Sequence, residues 1–206
     1  MSRLQKPLLC LLPLVALFAS AAAAQNLLNN GDFDAGAGLG DWTWGPGTLA
    51  LEPDSASCLL SDAALATSAM AASNHYFAMY STQCIPVDPV ATPVLHLGAL
   101  YRTSAPVWAR TALQSFTDAA CASFEGYYTG PYGATSAAWA AIGGPVTLGP
   151  ATHSVKVTAD FNPMLPGTAQ FTGSFDRLYL GVLPWIFADG FEPESGSACN
   201  WTVAVE

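Results

Sequence analysis

The stretch that decides the fold is His153-Ser154-Val155-Lys156-Val157-Thr158-Ala159-Asp160-Phe161. Apolar and polar side chains alternate along it, with Val155, Val157, Ala159 and Phe161 in one set and Lys156, Thr158 and Asp160 in the other. Successive side chains of a β-strand point to opposite faces, so this period of two predicts a half-buried strand that packs one face on a core.

Similar short segments recur along most of the chain, separated by Gly, Pro, Asn and Ser. The strand candidates are residues 47–52, 75–81, 94–102, 107–117, 123–128, 144–148, 153–161, 168–172 and 175–183. Within the last of these, Asp176, Leu178, Leu180 and Val182 form the apolar side. The alanine-rich segment 62–73 lacks large apolar residues to hold a helix on a core, so we interpret it as a loop with at most one helical turn. Many strands without βα alternation predict an all-β sandwich or barrel.

Residues 1–24 have the layout of a secretory signal peptide. Arg3 and Lys6 precede an apolar run from Leu8 to Ala19, and small alanines lead up to Gln25. The run is too short to span a bilayer, so we expect cleavage, export and a periplasmic or extracellular location. The mature chain is then a single domain, residues 25–183, followed by a tail, residues 184–206, that is rich in acidic residues, Gly and Pro.

The mature chain is strongly acidic. Cleavage removes two of the six Lys and Arg residues and none of the 15 Asp and Glu residues, so the net charge becomes 4 − 15 = −11. Such a chain is repelled by nucleic acid and by anionic membrane surfaces. We therefore expect neutral ligands or cations as partners, and no nucleic acid. No later stretch is long and apolar enough to span a membrane, and the sequence does not indicate the oligomeric state.

Four cysteines remain after cleavage: Cys58, Cys84, Cys121 and Cys199. An even number in an exported chain favours two disulfides, although four cysteines allow three pairings. We favour Cys84–Cys121, which leaves Cys58–Cys199 by elimination. The first pair would close a loop of about 37 residues and contribute about 3–4 kcal/mol in the chain-entropy estimate.

Short motifs at both ends of the domain resemble a known family. The chain opens with Asn26-Leu27-Leu28-Asn29-Asn30-Gly31-Asp32-Phe33-Asp34-Ala35-Gly36 and then Gly40-Asp41-Trp42, and it closes with Phe175-Asp176-Arg177-Leu178-Tyr179-Leu180. With Trp139 before a late strand, these motifs resemble carbohydrate-binding modules of the jelly-roll, galactose-binding-like type. The resemblance implies a jelly-roll β-sandwich of two antiparallel sheets. Residues 186–192 also resemble a C-terminal signature of exported proteins from some Gram-negative bacteria, so we expect a bacterial origin.

The resemblance also implies a structural calcium ion that ties the first strand to the last. Its candidate ligands are Asp32, Asp34 and Asp176, and backbone carbonyls would complete the six to eight oxygens that calcium needs. Two residues depart from the family pattern: Asp34 replaces a glutamate, and Arg177 replaces a second aspartate. The alternative is that Asp32 caps a turn, Asp34 is solvated, and Asp176 pairs with Arg177 or a loop amide.

Four aromatic residues are candidates for stacking on sugar rings. Tyr127, Tyr128 and Tyr132 lie in a stretch rich in Gly and Pro, and Trp108 follows Pro106 at a strand start. Amphipathic rings of this kind bind flat, weakly polar ligands, but ordinary packing is the alternative for each. A second set lies at motif or alternating positions and is predicted to be core: Phe33, Trp42, Phe77, Trp139 and Phe175.

The sequence offers no catalytic motif, and none of its residues is assigned a catalytic role. The function predicted is a secreted, non-catalytic binding module for a neutral polysaccharide or surface glycan. Two alternatives stay open: an extracellular structural or protein-interaction sandwich, and a small secreted hydrolase or lyase.

Overall fold

The computed structural model describes residues 26–34, 36–56, 61–71 and 74–184. These residues form eleven β-strands and no helix. The strands are β1 Trp42–Gly45, β2 Gly47–Pro53, β3 Asp62–Ala71, β4 Asn74–Ser81, β5 Ile85–Pro86, β6 Val94–Thr103, β7 Val107–Phe116, β8 Phe124–Gly133, β9 Ala140–Thr147, β10 Ser154–Pro163 and β11 Thr172–Gly181. In the part of the chain so described, no helix is long and apolar enough to cross a membrane.

The strands form two antiparallel sheets that face each other. The first sheet has the order β1-β4-β10-β7-β8, with the short β5 beside one end of β10. The second has the order β2-β3-β11-β6-β9. The β3–β4 hairpin joins the two sheets along one border. The prediction of an all-β, jelly-roll β-sandwich is confirmed.

The core lies between the sheets and follows the predicted alternation of β10. Val155, Val157, Ala159 and Phe161 are completely buried. The ring of Phe161 stacks on that of Phe175 in the facing sheet, with 4.3 Å between ring centroids. The outward side of β10 is less exposed than predicted, since neighbouring side chains also cover Thr158 and Asp160.

The opening motif lies along the last strand and closes the domain. The amide of Leu27 donates to the carbonyl of Leu180, and the amide of Leu178 donates to the carbonyl of Gly31. A side chain at position 31 would collide with the carbonyl of Leu178, which explains the glycine there. Phe33 and Trp42 are buried, as predicted, and their ring centroids lie 5.7 Å apart.

The alternation predicted for 175–183 is broken by a β-bulge between Asp176 and Tyr179. Phe175 points into the core, and the bulge resets the phase so that Leu178 and Leu180 also point inward. The simple period of two predicted that Asp176 and Leu178 share a face of the strand. The bulge places them on different faces. Arg177 has the positive φ of 51° that the bulge imposes.

The prediction of a loop for 62–73 was wrong, because β3 runs from Asp62 to Ala71 in the middle of the second sheet. Ala64 and Ala66 are fully buried in the core, at positions paired with Phe175 and Gly173 of β11. The predicted strand 168–172 is also wrong: the chain is irregular to Phe171, and β11 begins at Thr172. Sequence reasoning missed the short strands β1 and β5.

A disulfide joins Cys84 to Cys121, which confirms the favoured pairing. It ties the segment before β5 to the loop between β7 and β8. In that loop the carboxylate of Asp118 accepts hydrogen bonds from the amides of Ala120, Ala122 and Ser123, and these backbone hydrogen bonds lower the pKa of Asp118. Cys58 and Cys199, and the predicted signal peptide and most of the tail, lie outside the described residues.

Candidate functional site

The candidate site lies on the outward face of the first sheet, where β8, β7 and β10 are adjacent. In the register of these strands, Arg110 lies between Tyr132 on β8 and Asp160 on β10, and Trp108 lies beside Asn162. Residues at paired positions of neighbouring strands share a face, so all five side chains point away from the core. We call this outward surface the aromatic face.

Trp108 and Tyr132 form an exposed aromatic pair on this face. Trp108 is 40% and Tyr132 54% exposed, and their rings meet edge to face with centroids 6.1 Å apart. Together with Arg110 and Asn162 they line an open hollow of about 460 Å³, the Trp108 hollow. Two rings held at a large angle offer one flat surface and one edge to a ligand.

Arg110 fixes the floor of the hollow. Its Nε donates to both carboxylate oxygens of Asp160, at 3.2 and 2.9 Å, and its Nη2 donates to Oδ2 at 2.7 Å. Its Nη1 donates to the hydroxyl of Tyr132 at 3.3 Å, and the guanidinium carbon lies 5.6 Å from the centre of that ring. The arginine therefore holds the carboxylate beneath it and the tyrosine beside it in one arrangement.

The charges of this pair depend on each other. Burial raises the pKa of Asp160, while the hydrogen bonds and charge of Arg110 act to lower it. Burial acts to lower the pKa of Arg110, but its contacts with Asp160 and Tyr132 outweigh this and raise it. The bidentate geometry pairs the guanidinium directly with the carboxylate, so the floor of the hollow is ordered and offers a ligand no unpaired charge.

Tyr127 lies on the aromatic face, but Tyr128 does not. Tyr127 pairs with Gln114, whose amide donates to its hydroxyl at 3.2 Å, and its ring meets that of Phe124 at 5.2 Å. Tyr128 pairs with the buried Leu113, and its hydroxyl accepts the amide of Gly149 at 2.7 Å. Because consecutive residues of a strand point to opposite faces, the predicted set of four is revised to Trp108, Tyr127 and Tyr132.

Sequence reasoning missed the polar members of the site, Arg110, Asp160 and Asn162. Arg110 follows Trp108 by two residues, so the alternation of β7 could have placed both on one face. The positions of Asp160 and Asn162 needed the pairing of β7 with β10, which a single sequence does not reveal. Sequence reasoning also missed Tyr80. Burial raises the pKa of its hydroxyl most, and the electrostatic effects of Tyr127, Tyr76 and Asp160 raise it further.

Trp139 was predicted to be core and is only partly buried. Its ring covers the guanidinium of Arg102, with 4.8 Å from the guanidinium carbon to the ring centroid. The other four predicted core aromatics, Phe33, Trp42, Phe77 and Phe175, are buried.

The predicted calcium ligands lie where the opening motif meets β11. The carboxylate of Asp176 is buried, accepts the amide of Ser55 at 2.9 Å and lies 4.0 Å from Nε of Arg177. Burial raises the pKa of Asp176. Asp34 is exposed, and Asp32 is partly buried.

Among the described residues, no group of three or more His, Cys, Asp or Glu side chains is arranged to hold a metal. Calcium binding stays a prediction, and such an ion would rely on backbone carbonyls for most of its ligands. A melting temperature that is higher in millimolar calcium than in chelator would support calcium binding. An unchanged melting temperature would contradict it.

Comparison with known proteins identifies the fold. No family model matches the chain, and no curated protein is significantly similar to it. Among solved structures, the carbohydrate-binding module TmCBM61, solved with β-1,4-galactotriose, aligns over 76% of this chain and 98% of its own, with a TM-score of 0.53 and 14% identity. The CBM22-1 xylan-binding domain of Xyn10C from Paenibacillus barcinonensis aligns over 79% and 97%, with a TM-score of 0.50 and 12% identity.

A phage enzyme contains the same fold within a much larger chain. The enzymatically active domain of tailspike protein 4 from bacteriophage CBA120 aligns over 76% of this chain, with a TM-score of 0.51 and 13% identity. The present chain spans only 21% of that protein's length. At these identities the similarity shows a β-sandwich fold shared with carbohydrate-binding modules.

Proposed function

We propose that this protein is an exported, non-catalytic module that binds a neutral polysaccharide or surface glycan on the aromatic face. The observation that carries the proposal is the Trp108 hollow, in which two exposed rings stand beside an ordered arginine and the amide of Asn162. Flat rings bind the apolar faces of sugars, and fixed polar groups at the edge bind their hydroxyls.

The preference for a neutral ligand rests on charge. Arg110 is already engaged with Asp160, so the hollow offers no free positive charge to an anionic polymer. The full chain has a net charge of −9, which repels polyanions at long range. Galactan and xylan are the first ligands to test, because one neighbour described above was solved with β-1,4-galactotriose and another is named as a xylan-binding domain.

Retention on insoluble polysaccharides tests the proposal. The mature chain is incubated with galactan, xylan, cellulose, chitin and mannan, and the bound fraction is compared with that of Trp108→Ala/Tyr132→Ala. We expect at least one polymer to retain the wild type but not the double variant. Failure of the whole panel, or equal retention of the double variant, would contradict the proposal.

A protein-interaction role is the second candidate, and it is favoured by one feature. The ring of Phe124, 53% exposed, packs edge to face on Phe116 and Tyr127 and has no polar group to offer a sugar. Exposed apolar clusters of this kind mark protein contacts. A protein partner captured by the wild type and lost in Phe124→Ser, with no polysaccharide retained, would favour this candidate.

A further inference from the structure

The opposite sheet carries a second, unrelated hollow. It lies on the outward face of β2, β3, β11 and β6, has a volume of about 280 Å³, and is lined by six polar residues together with Leu65, Ala137 and Gly173. Its lining includes Glu52, Arg102, Ser104, Ala137, Thr172 and Ser174. We call it the Arg102 hollow.

One side of the hollow is an ion pair that reaches across two strands. Nη2 of Arg102 lies 2.8 Å from Oε2 of Glu52, and its Nε donates to the hydroxyl of Ser174 at 3.4 Å. The ring of Trp139 covers the guanidinium. A guanidinium has five N–H donors, and these two contacts use two of them, so donors remain for a ligand.

The other side is a pair of exposed hydroxyls. Oγ1 of Thr172 lies 3.2 Å from Oγ of Ser104, and the amide of Thr172 donates to that same Oγ at 3.1 Å. Ser104 in turn donates to the carbonyl of Thr172 at 3.0 Å. These reciprocal bonds fix two hydroxyl oxygens across the hollow from the arginine.

We propose that the Arg102 hollow binds a small, neutral, polyhydroxylated ligand, one or two sugar units in size. The one cation in its lining, Arg102, is paired with Glu52, so the hollow favours a ligand without net charge. Charged donors face fixed hydroxyls, and neighbouring hydroxyl groups of a sugar donate and accept at the same time and can bond both sides. The volume lies just below the usual range for ligand sites, so the hollow itself has room for a small sugar rather than for a long chain segment.

This site is independent of the Trp108 hollow, because the two open on opposite faces of the sandwich. A molecule that holds glycan on both faces can bridge two chains. Sugar binding at the Arg102 hollow does not rest on the proposed function, but the crosslinking role that the two sites would have together does.

Nuclear magnetic resonance of the ¹⁵N-labelled mature chain, titrated with galactose, glucose, xylose and arabinose, tests the second site. We expect one of these sugars to cause saturable shifts at the indole N–H of Trp139 and the amides of residues 172–174. These shifts should persist in Trp108→Ala/Tyr132→Ala, which disables only the first hollow. The absence of any saturable shift there, whatever happens at Trp108, would overturn the inference.

Two variants locate the ligand. Ala137→Trp places a large side chain at the exposed rim and should abolish the shifts while the rest of the spectrum is retained. Arg102→Lys keeps the charge opposite Glu52 but loses the planar fork, and it should weaken binding at least tenfold. Shifts that persist unchanged in Ala137→Trp would show that the sugar binds elsewhere and would overturn the inference.

Discussion

Arg110 and Asp160 illustrate how one residue pair supports both the fold and the site. Only 6% of the Asp160 side chain is exposed, against 25% for Arg110. Removing the arginine leaves a carboxylate that water cannot solvate, whereas removing the aspartate leaves a cation that partly can be solvated. Replacing Arg110 should therefore lower the free energy of unfolding more than replacing Asp160 does.

At the residue scale, we expect Arg110→Met to be destabilising at pH 7 and to recover as the pH falls. Without the arginine the pKa of Asp160, already raised by burial, rises further. A carboxyl whose folded pKa lies above its unfolded value stabilises the fold in its protonated form, and this stabilisation is lost as the pH rises through the folded pKa. Urea unfolding should show a deficit of about 2–4 kcal/mol at pH 7 that shrinks towards pH 4.

The matched control is Arg110→Met/Asp160→Asn, which has no titratable group at position 160. Because Asp160 is absent from this variant, its deficit in the free energy of unfolding relative to wild type should not shrink as the pH falls from 7 to 4. A deficit in Arg110→Met that stays constant from pH 7 to pH 4 would show that Asp160 is not the buried, titrating partner.

At the element scale, β3 shows why alternation alone was insufficient. The residues that it contributes to the hydrophobic core are the alanines Ala64 and Ala66, which have neither the size nor the β-branching by which strands are recognised, so the segment resembled a loop. What makes it a strand is its place between β2 and β11, which pair with it on both sides. The strand β10 could be predicted because its inward residues are large and its outward residues are polar.

We expect Ala66→Leu to reduce the free energy of unfolding by about 1–3 kcal/mol through overpacking. Ala66 is fully buried opposite Gly173, and a Cβ added to that glycine would lie only 2.7 Å from the ring of Phe161. The control Ala50→Leu places the same side chain on the exposed face of β2 and should change stability by less than about 0.5 kcal/mol. Equal effects in urea unfolding would contradict this packing.

The site was only partly predictable for a related reason. Trp108 and Tyr132 could be chosen from composition and local turn residues. Tyr128 was included because the strand phase of 123–133 could not be read from a segment rich in Gly and Pro. Arg110, Asp160 and Asn162 become neighbours only through the register of three strands, which depends on the whole sheet.

At the scale of the whole molecule, the disulfide fixes one end of the first sheet. Cys84 and Cys121 are 37 residues apart, and their bond removes chain entropy from the unfolded state. We expect Cys84→Ser/Cys121→Ser to lose about 3–4 kcal/mol of stability in urea unfolding. A loss below about 1 kcal/mol would contradict a structural role for this bond.

Charge also acts at this scale. Three of the arginines are paired with acidic residues, Arg102 with Glu52, Arg110 with Asp160 and Arg177 with Asp176. Little positive potential therefore remains to attract a polyanion. We expect heparin and polygalacturonate to be excluded even at low ionic strength, and retention on either at low salt would contradict the preference for neutral ligands.

The central claim is that glycan binds on the aromatic face through Trp108. Isothermal titration calorimetry with the retained polysaccharide, in soluble form, should compare wild type, Trp108→Ala and Trp44→Ala. Trp44 is a matched control: it is 41% exposed, against 40% for Trp108, but it pairs with the buried Met79 and so lies on the other face of its sheet. We predict at least a tenfold loss of affinity, about 1.4 kcal/mol, for Trp108→Ala and none for Trp44→Ala. Wild-type affinity in Trp108→Ala would contradict the claim.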